Sequence, residues 1–84
     1  MKIEDKIRNL LEEEINKNGY KLDEVVYEKK NNTNFLRLVI DNNDVITVDD
    51  CVKVSDLVNP ILDSNDPIDE RYILDICSKE KGND

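Results

Sequence analysis

With 84 residues, 38% of them hydrophobic and 38% charged, the chain is sized for one domain around one core, and two strongly periodic stretches exclude wholesale disorder. Twenty acidic residues against twelve basic give a net charge of −8, which argues against direct nucleic-acid or anionic-lipid binding and favours a basic partner. No apolar run reaches the length of a membrane span, and the start Met1-Lys2-Ile3-Glu4-Asp5 is amphipathic and acidic rather than a secretory signal, so a cytoplasmic setting is expected.

Ile3, Ile7, Leu10, Leu11 and Ile15 recur at the spacing of one helical face, while Glu12, Glu13, Glu14 and Lys17 fall opposite. This predicts a first helix over roughly residues 2–17, ended by Asn18-Gly19 because glycine takes the left-handed conformation that follows a helix. The run Glu12 to Glu14 reads as a solvated helix face.

Two strands follow, at 22–29 and 35–40, joined by the polar stretch Lys30-Asn31-Asn32-Thr33-Asn34 as an antiparallel hairpin. The sequon Asn31-Asn32-Thr33 is read as idle, since glycosylation needs a secretory route. On the second strand Leu36, Leu38 and Ile40 share one face, and Phe35, Arg37 and Val39 the other. Two helices can cover the first face. The second is left for a neighbouring domain, a partner, a second copy or solvent.

Thr47 precedes the next periodic segment and Asp50 stands three residues on, a capping-box pattern with Asp in place of Glu or Gln. Asp49 and Asp50 also sit in the first turn, where exposed amides favour negative charge. Cys51, Val54, Val58, Ile61 and Leu62 then follow helical spacing, so Cys51 reads as packing on the buried stripe. Pro60 lacks an amide hydrogen and disfavours helical angles at Asn59, which predicts regular helix from 48 to about 58 and a distorted turn at Ile61-Leu62. Asp63 to Ile68 reads as a turn in which Asp66 caps a short segment opening at Pro67. Alternation of Tyr72, Leu74 and Ile76 with Ile73, Asp75 and Cys77 predicts a last strand over 71–78, followed by a flexible tail, 79–84.

The predicted fold is therefore α+β: a two-layer α/β sandwich in the order α-β-β-α-β, with two helices on one face of a three-stranded sheet. A right-handed crossover makes the last strand parallel to the second and leaves open which neighbour it takes. The order resembles the type II KH topology, but Gly19 and Gly82 are the only glycines and no G-x-x-G loop exists.

Chemically reactive constellations are lacking. There is no histidine to serve as a base for Cys51, and its aspartate neighbours oppose a thiolate. Two distant cysteines make no zinc site, and the Asp41-Asn42-Asn43-Asp44 stretch fails as a calcium loop because Val45, Ile46 and Val52 occupy ligand and turn positions. No catalytic residue, metal or cofactor is assigned, and the chain is not read as an enzyme.

Gly19-Tyr20-Lys21-Leu22, Phe35 to Asp41, Ile46-Thr47-Val48-Asp49-Asp50-Cys51-Val52-Lys53-Val54-Ser55, and Ile61 to Ile68 with Tyr72 to Ser78 together resemble the N-terminal domain of the RimP family of bacterial ribosome maturation factors. The resemblance implies a cytoplasmic, non-enzymatic factor that binds the immature small (30S) ribosomal subunit and assists its late assembly; with it, the acidic charge points to a basic ribosomal protein as the contact. Asp41, Asp44, Asp49, Asp50 and Asp66 are the candidate partner-binding acids. Family members continue past the last strand through a Ser-Ser-Pro-Gly linker into a second, β-barrel domain, whereas here Cys77-Ser78 leads to Lys79-Glu80-Lys81-Gly82. The alternative reading is a homo-oligomeric or general protein-interaction module using the open sheet face around Phe35, Val39 and Ile73.

Overall fold

The computed structural model describes residues 2–42 and 45–79. Helix α1 spans Ile3–Lys17 and buries Ile7, Leu11 and Ile15 completely, the stripe that the periodicity marks. It ends in a Schellman motif, with the Tyr20 amide donating to the Ile15 carbonyl at 3.2 Å and the Gly19 amide to that of Asn16 at 3.1 Å. Gly19 supplies the left-handed residue at φ 89°, which drops Tyr20 into the core.

Strand β1 spans Lys21–Lys30 and strand β2 spans Thr33–Asp41, so the hairpin loop is two residues rather than the five-residue polar stretch expected. Asn31 and Asn32 take φ 50° and 64°, the paired positive angles of a type I′ turn whose twist matches that of the strands. Asparagine tolerates these angles, which frees Thr33 and Asn34 to pair with Lys30 and Lys29. The buried amide of Asn34 is satisfied within the fold, donating to Glu70 Oε2 at 2.7 Å and to the Arg71 carbonyl at 3.0 Å.

The register slips between Leu22 and Glu24, making Asp23 the extra residue of a β-bulge. The slip reverses which residues face inward, so that Leu22 and then Val25 and Tyr27 pack on the core. Arg8 of α1 holds the bulge, donating through Nη1 to the Leu22 carbonyl at 2.7 Å and through Nη2 to that of Asp23 at 3.0 Å. Glu12 steadies the guanidinium at 2.9 Å.

Helix α2 spans Val48–Asn65 and runs straight past Pro60, correcting the expected end near residue 58. Proline deprives the Asp56 carbonyl of its helical donor, but Asp56 and Pro60 are both exposed and water can serve instead. On the opposite side Val58 and Leu62 are buried, and that packing favours continuation. The helix closes at Asp66, left-handed at φ 43°, whose amide donates to the Leu62 carbonyl at 2.8 Å. Asp66 thus caps the C-terminus of α2 rather than opening a new turn at Pro67.

Strand β3, Ile73–Ser78, lies parallel to β2 and completes a sheet in the order β1-β2-β3, with Phe35 opposite Ile73 and Ile40 opposite Ser78. It starts two residues later than expected, since the Arg71 carbonyl is taken by Asn34. Lys79 is bonded beyond the strand, its amide to the Ile40 carbonyl at 2.7 Å and its ammonium to Asp23 at 3.2 Å; residues 80–84 of the expected tail lie outside the described residues. Both helices pack on the face carrying Leu36, Leu38 and Ile40, all fully buried, which gives the α+β sandwich expected. Among the described residues no helix is long and apolar enough to cross a membrane.

Because Pro60 interrupts the hydrogen bonding on the wet side of a helix held by its dry side, Pro60→Ala is expected to raise unfolding stability in urea by about 2 kcal/mol, the helical penalty of proline less its restriction of the unfolded chain.

Candidate functional site

The candidate acids divide between the two ends of α2. Asp41 closes β2 opposite Lys21, and one of its carboxylate oxygens accepts from the Asn42 amide at 2.9 Å. Asp49 is exposed in the first turn of α2, near Val48 and Val52, which are themselves 79% and 53% exposed. Asp66 stands at the far end of the helix, about 25 Å from Asp49 at the usual rise per residue. Asp44 lies outside the described residues.

Asp50 is engaged within the fold. Its Oδ2 accepts from the Thr47 amide at 2.8 Å and from the Thr47 hydroxyl at 3.0 Å, while its own amide donates to Thr47 Oγ1 at 3.2 Å. The predicted capping box is therefore present with aspartate in the third position. Its Oδ1 accepts from the Tyr20 hydroxyl at 2.6 Å, tying the end of α1 to the start of α2. The Thr47 backbone hydrogen bond, then the Tyr20 and Thr47 side chains, lower the Asp50 pKa, and Asp50 in turn raises that of Tyr20, helped by burial. Both oxygens of Asp50 are thus occupied within the domain.

The surroundings of both cysteines disfavour the thiolate. Cys51 is half-buried, at the margin of the stripe whose fully buried members are Val54 and Val58. Burial raises its thiol pKa, and Asp50 and Asp75 add to the effect. Cys77 is raised by burial first and then by its hydrogen bond to Asp75 at 3.4 Å. Among the described residues no three histidine, cysteine or acidic side chains are grouped to hold a metal ion.

Two surfaces stand out on the folded domain. The first is a groove of about 570 Å³ between the last turns of α2, the connection that follows and the start of β3. Asp63, Asp66, Asp69 and Glu70 line it together with the apolar Leu62 and Ile68. Of these acids the sequence singles out Asp66 alone, within a stretch that reads as a turn. Clustering of acids over residues 63–70 is the available signal, but the groove depends on α2 continuing past Pro60 to carry Asp63 there. The second surface is the open sheet face. Val26, Phe35, Val39, Ile73 and Cys77 lie on it, and Arg37 crosses it to Asp75 at 3.2 Å. The apolar face read from strand periodicity is therefore real, with an ion pair at its centre.

Folding lowers the Asp50 pKa, so its contribution to stability is complete above the ordinary value of 3.8 and is lost as pH falls through the lowered one. Asp50→Asn is expected to lower the thermal midpoint at about pH 7 and to lose less than the parent chain on going to about pH 3, measured by circular dichroism melts; an equal loss in both would remove Asp50 from the acid response.

Residues 10–79 match the RimP N-terminal domain family. The matched segment begins in α1 and ends one residue beyond β3, and it takes in the Schellman turn at Gly19, the Thr47–Asp50 box, the groove and the open sheet face. The chain accordingly belongs to the RimP N-terminal domain family, a family of ribosome maturation factors.

Proposed function

We propose that this domain binds the immature small ribosomal subunit in the cytoplasm and assists its assembly without catalysis, by docking a basic ribosomal protein on acidic surface. The observation that carries the reading is the family match over residues 10–79. The net charge of −8 supports a basic protein rather than RNA as the direct contact, since complementary charge speeds encounter and disfavours wrong partners. Of the acids first considered, Asp49 and Asp66 have exposed side chains, Asp41 borders the same connection as Asp49, and Asp44 is retained from the sequence alone. Asp50 supports the surface indirectly by fixing the start of α2.

Immature small subunits from a bacterial lysate are expected to retain the immobilised domain at low salt and to release it as salt screens the exposed charges. No retention at low salt would defeat the reading.

A second reading has its own support: Ile73 is 51% exposed on the open sheet face beside half-buried Phe35 and Val39. This face could join two copies of the chain. Sedimentation at rising concentration would then show a dimer, and a persistent monomer would count against it.

A further inference from the structure

The groove at the far end of α2 does not stop at Tyr72. A second depression, about 350 Å³ and lined by Asn32, Thr33, Asn34, Arg71, Tyr72 and Ile73, begins where the first ends. Arg71 and Tyr72 line both, so the two depressions adjoin at the entry to β3, and together, as a channel, their lining reaches from Asn59 on α2 to the tip of the β1–β2 hairpin. Its two halves differ in chemistry. The hairpin half holds Ile73, a large aliphatic side chain half exposed at a strand start. The helix half carries Asp63, Asp66, Asp69 and Glu70 above Leu62 and Ile68, with Arg71 as the one cation among its lining residues.

This half groups four carboxylates along one groove, and none of them is in an ion pair among the described residues. The five ion pairs among the described residues join Arg8 to Glu12, Lys17 to Glu13, Lys30 to Glu28, Arg37 to Asp75 and Lys79 to Asp23, all away from the groove. Asp63, Asp66 and Asp69 have no side-chain partner among the described residues, and Glu70 is fixed by Asn34, a neutral donor. The acids are strung along the channel rather than converged, since no three of them are grouped to hold a metal ion. A string of separated carboxylates beside an apolar notch complements a chain of separated cations with an apolar side chain among them.

We infer that this channel is the docking site for an extended lysine- or arginine-rich protein segment, its basic side chains along Asp63, Asp66 and Asp69 and an aliphatic residue against Ile73 and Tyr72. The inference rests on the reading of a basic protein partner and says where that partner binds. Long basic side chains suit the channel because their methylene stems can lie on half-buried Tyr72 and Leu74 while their heads reach the acidic rim. Burial and then Asp63 and Asp66 raise the Tyr72 pKa, so the phenol is held neutral at the centre of the channel as a flat contact surface.

The test is an NMR titration of the domain with a synthetic peptide in which lysines alternate with small residues around a central leucine. Amide shifts are expected to concentrate at residues 32–34 and 59–74 and to saturate. Asp63→Asn with Asp69→Asn is expected to weaken binding about fivefold at low salt, whereas Asp5→Asn with Glu13→Gln, which removes the same charge from α1, changes it little. Ile73→Thr should weaken the leucine peptide and leave a version with alanine in its place unaffected. Shifts scattered over the surface, equal losses in the two charge variants, or absence of binding would each overturn the inference. Small-subunit retention separates it from the reading beneath it. Subunits that hold the parent domain and the Asp63→Asn, Asp69→Asn variant equally would sink the channel and spare the partner; saturable peptide binding without subunit retention would sink the partner and spare the channel.

Discussion

The carboxylate of Asp50 is shared between two parts of the fold that are far apart in sequence. One oxygen closes the capping box with Thr47 and so sets where α2 begins, and the other takes the hydroxyl of Tyr20, thirty residues earlier. Tyr20 is itself delivered by the left-handed turn at Gly19, whose φ of 89° ends α1. The direction of α2 is therefore referenced to the end of α1 through a single side chain. Everything downstream inherits that reference, because α2 runs unbroken to Asp66 and determines where the connection to β3 begins.

Much of this is legible in the sequence. The α1 stripe, the Thr47–Asp50 box and the two faces of β2 rest on local rules of periodicity and capping, and tertiary packing reinforces each of them. Expectation and structure part where packing overrides a local preference. Pro60 disfavours helix, yet buried Val58 and Leu62 hold the segment helical while water can serve the orphaned carbonyl. Asn31 and Asn32 form the entire turn because two positive angles are tolerable for asparagine, a matter of dihedral angle that polarity does not reveal. The bulge at Asp23 has no pattern of its own; it is legible through Arg8, which reaches it from another element.

The acids show the same division. Those near the N-terminus of α2 stand out because they crowd one short stretch, and the structure uses the most engaged of them, Asp50, to hold the helix. Those at the C-terminal end read locally as turn residues. They matter as a group because the backbone sets them along one channel while the basic residues that form ion pairs do so elsewhere. Net charge points to a basic partner, but the grouping of four carboxylates along one groove is what distinguishes this acidic region from the others.

The parallel pairing of β3 has a kinetic consequence. The hairpin joins neighbouring residues, whereas Arg37 meets Asp75 across 38 positions, so that pairing closes a much longer loop at a greater entropic cost. The channel is built from the segment that enters β3, so it depends on the longest-range strand pairing among the described residues. Its presence is therefore a mark of completed folding: a collapsed chain with α1, the hairpin and α2 in place would still lack it. The channel and the paired β3 are therefore a single structural fact: whatever loosens that strand removes the groove with it.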